Sequence, residues 1–67
     1  MRLFFFVNGD QVAAIEANAV PRSGEAVWIK TLDYEGTLVV EAIEHEFDRS
    51  RVENYTSHDV SLSCRKK

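Results

Sequence analysis

The stretch Thr37-Leu-Val-Val-Glu-Ala-Ile-Glu-His-Glu-Phe-Asp48 is the longest β-compatible run in the chain and the feature that most constrains its fold. It is rich in β-branched residues, holds no Gly or Pro, and needs partners on its edges to form a sheet. Its phase changes midway. Leu38 and Val40 share one face, whereas Ile43, His45 and Phe47 share the opposite one. Keeping both sets in one core requires a β-bulge near Glu41-Ala42, and a bulged, bent strand is how a small barrel turns a corner.

Shorter runs supply the partners. Arg2 to Val7 reads as a strand, and Asn8-Gly9 after it is a hairpin signal, since both residues tolerate positive φ. A turn centred on Asn8-Gly9 pairs Val7 with Asp10 and Phe5 with Val12. A one-residue shift pairs Val7 with Val12 and Phe4 with Ile15, and both registers stay open. Three consecutive phenylalanines place at least one on the second face, covered by the chain or exposed for a partner.

Gln11 to Ala17 favours a strand over a short helix, because Pro21 lies close behind. The segment from Asn18 to Gly24 is a connection with a turn at Ser23-Gly24. Glu25 to Leu32 is the third strand, with Val27 and Ile29 on one face and Trp28 on the other. Asp33-Tyr34-Glu35-Gly36 is a turn with Gly36 suited to the left-handed position. Asp48 to Ser57 reads as a polar loop with a short turn around Val52–Tyr55. The last strand, His58 to Cys64, alternates Val60, Leu62 and Cys64 with polar residues. The tail from Arg65 to Lys67 is expected to fray.

Five short strands in 67 residues point to one all-β domain, a small five-stranded antiparallel barrel or rolled sheet. The stretch Val20-Pro-Arg-Ser-Gly-Glu-Ala-Val-Trp-Ile29, the run Gly36-Thr-Leu-Val-Val-Glu-Ala-Ile-Glu-His45 and the terminal V-x-L strand resemble small SH3-like barrel proteins of bacterial and phage type. The likeness covers roughly residues 18–64 and records strand and turn chemistry. It implies an SH3-like fold but no function. The clustered aromatic and acidic loop residues of proline-peptide readers are missing, so that activity is not implied.

A chain of this length buries about 60% of its unfolded surface, and small cores often need disulfides, metals or a second copy. Cys64 is the single cysteine, which excludes an intramolecular disulfide and fits a reducing cytoplasm. One Cys and two His far apart give no metal-ligand spacing, so neither metal nor cofactor is expected. The five-residue apolar run after Arg2 is too short for a signal peptide or a membrane span. Gly9, Gly24 and Gly36 are isolated and make no phosphate-cradling loop. His45 reads as a partly buried core residue, His58 as a surface one and Cys64 as core. No nucleophile–base pair is legible, and the chain reads as non-enzymatic.

Charge carries the functional expectation. Between Thr31 and Asp48 stand six carboxylates (Asp33, Glu35, Glu41, Glu44, Glu46, Asp48) and no Lys or Arg, although the net charge is only -3. On a strand Glu44, Glu46 and Asp48 project from one face about 7 Å apart. The bland reading is a solvated outer face. The functional one is a row matched to a basic protein surface, standing in for the phosphates of DNA or RNA. Phage-encoded inhibitors of nucleic-acid-binding defence complexes, anti-CRISPR proteins among them, are similar in size and charge. With Tyr34 and Trp28 nearby as aromatic anchors, the expected partner-binding set is Trp28, Asp33, Tyr34, Glu35, Glu41, Glu44, Glu46 and Asp48. The alternative for Trp28 is burial under the phenylalanines of the first strand. Direct nucleic-acid binding through Arg49, Arg51 and the tail is the second reading, disfavoured by a negative total. A homodimer paired through the Phe4-Phe5-Phe6 strand is the third.

Overall fold

The structure, a computed structural model, describes residues 1–49 and 56–67. Five strands follow one another: β1 (Arg2–Val7), β2 (Asp10–Glu16), β3 (Ala26–Lys30), β4 (Glu35–Arg49) and β5 (Thr56–Lys66). They form one sheet in the order β2-β1-β5-β4-β3, rolled into a half-barrel. Val52–Tyr55 and Arg51, named above, lie outside the described residues.

The expectation of an all-β chain holds, but that of a wholly antiparallel sheet is corrected. β1 runs parallel to β5, while the other three pairings are antiparallel. β5 takes its direction from its long hairpin with β4. β1 then fills the other edge of β5 in the sense that sets Leu3, Phe5 and Val7 opposite Val60, Leu62 and Cys64. That match of two apolar faces is what the parallel register achieves. A parallel pair needs a long crossover, and β2, β3 and β4 provide it.

Asn8 and Gly9 take φ of 52° and 83° at the β1–β2 turn, as a type I′ hairpin requires. Val7 pairs with Asp10, yet beyond a shift between Phe5 and Phe6 the partners become Phe5–Ala13 and Leu3–Ile15. Neither expected register runs the full length. An extra residue at Val12 moves the strand from one towards the other.

The bulge in β4 lies between Val40 and Ala42, as expected from the phase change. It lets Leu38, Val40, Ile43, His45 and Phe47 face one way. The core combines Leu3, Phe5, Val7, Ala13, Ile29, Leu38, Val40, Val60, Leu62 and Cys64. Fully burying each large side chain stabilises by about 1.5–3 kcal/mol, so this one cluster dominates folding.

Two local expectations change. Gly36 has a positive φ of 158°, which glycine adopts readily but which lies far from the left-handed helical value, and Tyr34 packs beside it with its hydroxyl 3.4 Å from where a Cβ would stand. Thr31 organises this turn. Its hydroxyl oxygen accepts from the Asp33 and Tyr34 amides at 3.2 and 3.0 Å. The tail is not frayed either: β5 continues to Lys66, and the Lys67 amide donates to the Thr37 carbonyl at 3.2 Å.

A candidate docking face on the β4–β5 arm

β4 and β5 pair from Leu38–Lys66 out to Arg49–Thr56, but their neighbours stop earlier. β3 accompanies β4 only from Glu35 to Val39, and β1 reaches no further along β5 than Asp59. The rest of the hairpin is an arm, and the molecule measures 42 Å in its longest direction against 25 and 22 Å in the others.

Because side chains alternate and the bulge resets the phase, the arm has two chemically distinct faces. On the outer face Glu44, Glu46 and Asp48 are all exposed and sit opposite Ser61, Asp59 and Ser57. Glu46 therefore faces a second carboxylate directly. Arg2 offsets Asp59 from the other side, with two hydrogen bonds of 3.1 Å. The outer face also holds two of the phenylalanines. Phe4 and Phe6 are half-buried and align with Ser61 and Ser63. A shallow pocket there is lined by Ala42, Ile43, Glu44, Ser61 and Ser63, and Phe4 and Phe6 on β1 lie across β5 from Glu44 and Ala42, about 10 Å away. Glu41, at the bulge, lies 3.8 Å from Arg65.

The core face of the arm ends in aromatics. His45, Phe47 and His58 stack, with ring centroids 4.2 Å apart for Phe47–His58 and 5.1 Å for His45–His58. His45 Nδ1 lies 2.8 Å from His58 Nε2, so in the neutral pair one ring donates and the other accepts. The expected burial of His45 is corrected, since it is exposed, and Phe47 beside it is 65% exposed. The reason is geometric: among the described residues no second layer extends over the arm. His58, expected at the surface, is half-buried by that stack.

The expected partner-binding set does not stay together, and Glu41 at the bulge and Trp28 on β3 stand apart from its two larger groups. Glu44, Glu46 and Asp48 share the arm. Asp33, Tyr34 and Glu35 stand at the opposite end of β4, about 40 Å of strand away. Asp33 and Glu35 are exposed there, but Tyr34 is half-buried against the core and is no free anchor. Trp28 is 62% exposed opposite Thr37, so the alternative of burial under β1 is excluded. It lies about 20 Å along β4 from Glu44. The aromatics near the acidic row are Phe4 and Phe6. The Phe-Phe-Phe run was the sequence signal for them, but only the strand order shows that they flank it. The dimer through β1 is also altered, since both β1 edges are occupied by β2 and β5.

Cys64 is buried in the core, and that burial, followed by the charge of Glu41, raises its thiol pKa above the ordinary value. Among the described residues no three His, Cys, Asp or Glu side chains gather as a metal site, and no helix is long and apolar enough to cross a membrane. No protein-family model, curated protein or solved structure matches this chain.

Proposed function

We propose that the chain is a non-enzymatic protein-binding module that docks the outer face of its β4–β5 arm on a basic surface of a larger complex. The observation that carries this is the row Glu44, Glu46 and Asp48, exposed and joined by Asp59 on the neighbouring strand. Opposed like charges weaken a strand pair by some tenths of a kcal/mol. A partner that supplies cations to this row relieves that repulsion. Phe4 and Phe6 would add apolar contact at the row's inner end. The basic residues compete less well as the working surface, because the net charge is -3 and Arg65 lies 3.8 Å from Glu41.

The sharpest form of this proposal is an inhibitor of phage type that occupies a nucleic-acid-binding site by imitating its charge, on an SH3-like roll acting in the cytoplasm. The test is a pulldown with the tagged chain at low salt. The native chain is expected to retain a basic protein complex that moderate salt releases, and Glu44→Gln/Glu46→Gln/Asp48→Asn should retain none. Unchanged retention by the triple variant removes the proposal. Recovery of nucleic acid without protein transfers the function to the basic end of β5.

A further inference from the structure

Among the described residues no strand pairs with the outer edge of β4 along most of the arm. Val40 exchanges backbone hydrogen bonds with Gly24 and Glu25, and the Ser23 hydroxyl donates to the Glu41 carbonyl at 2.8 Å. From Ala42 to Arg49, β5 is the one neighbouring strand of β4 among the described residues. Ala42 to Asp48 extends about 20 Å, and an edge strand of that length offers a row of backbone donors and acceptors to another extended chain.

We propose that this edge binds an extended basic segment of a partner protein by strand addition, with Lys or Arg alternating with apolar residues. The pattern follows from the two faces of the arm. A strand laid along this edge alternates its own side chains between them. On the outer face it meets Glu44, Glu46 and Asp48, which select cations. On the core face it meets Ile43, His45 and Phe47, which select apolar or aromatic side chains. A second copy of the chain is the wrong occupant. Antiparallel pairing of two such edges about a two-fold axis sets same-face residues opposite one another. In every register that overlaps the two acidic rows carboxylates oppose carboxylates, either the same residue of each copy, as with Glu46 and Glu46, or two of Glu44, Glu46 and Asp48. This inference rests on the proposed docking role of the acidic row and adds how the partner is held.

Two capped eight-residue peptides of identical composition separate the two ideas. One alternates Val and Lys; the other carries four Val followed by four Lys. Binding is measured at low salt by titration, and hydrogen exchange is followed at amides 42–48. The alternating peptide is expected to bind at least ten-fold more tightly and to slow exchange at alternate amides of this stretch. Equal binding of both peptides, abolished in Glu44→Gln/Glu46→Gln/Asp48→Asn, overturns strand addition while leaving the acidic docking face standing. Binding of neither peptide overturns both. Concentration-dependent protection of the same amides without peptide overturns the assigned occupant in favour of a second copy.

Discussion

Arg2 and Asp59 face each other across the parallel β1–β5 pair, joined by guanidinium–carboxylate hydrogen bonds from Nε and Nη2. The relationship extends in both directions. Glu16 lies opposite Arg2 on β2, and Glu46 lies opposite Asp59 on β4. One row across four strands therefore reads Glu16, Arg2, Asp59, Glu46, with Arg2 its one cationic side chain and the Met1 ammonium 2.9 Å from Glu16 at its end.

Replacing Arg2 by Ala should lower stability by no more than about 1 kcal/mol at low salt, the range of a largely exposed pair. The side chain also lies over the Phe4 ring, 5.4 Å from its centroid, so part of the loss is packing. Urea titrations at low and high ionic strength check this. The electrostatic share should shrink with salt, and a loss that grows with salt contradicts the row.

The three consecutive phenylalanines should behave differently. Phe5 is 1% exposed at the centre of the core, so Phe5→Ala is expected to cost about 3–5 kcal/mol and unfold much of the population. Phe4→Ala and Phe6→Ala remove half-buried rings from the outer face and should cost clearly less. Thermal melts of the three variants decide it, and equal losses would refute the assigned register.

Deleting Glu41 tests the bulge. Glu41 is the residue without a partner on β5, between the pairs Val40–Cys64 and Ala42–Ser63. Removing it restores strict alternation, so Val40, Ile43, His45 and Phe47 keep their common face while the local bend is lost. The deletion is therefore expected to keep the dispersed amide spectrum of a folded sheet and the pairing of His45 with Val60. Loss of that pairing in the deletion variant would refute the assigned bulge.

Cys64 links stability to alkaline pH. Burial and the nearby Glu41 raise its pKa in the folded state, so the folded chain holds this proton more tightly than the unfolded one. Its contribution is fully present below the unfolded thiol value of about 8.5 and is lost as pH rises through the folded value. Native Cys64 should also react slowly with a thiol-directed alkylating agent at pH 8, and quickly in urea. Cys64→Ala should flatten the alkaline decline in stability, and an identical decline in that variant excludes the thiol as its source.

Local chemistry carried much of this fold. Asn8-Gly9 announces its turn because few dipeptides tolerate two positive φ angles, and the phase change from Val40 to Ile43 announces its bulge because side chains strictly alternate. The site was legible only in part. Glu44, Glu46 and Asp48 share a face through their spacing alone, which is a property of any strand. Tyr34 and Trp28 were drawn into the same set by closeness in sequence, yet a long strand separates residues that a compact turn would join. Gly36 looked left-handed because glycine often is, whereas here its φ is positive but far from the left-handed helical value.

Strand content, the position of turns, the bulge and the polarity of each face belong to the sequence by itself, because they depend on interactions among residues a few positions apart. The parallel alignment of β1 with β5, the exposure of His45 and the placing of Phe4 beside Ser61 and Glu44 were decided only by the tertiary structure. Each depends on which strand fills which edge. That choice is made by matching whole apolar faces across distant segments, and no local pattern records it.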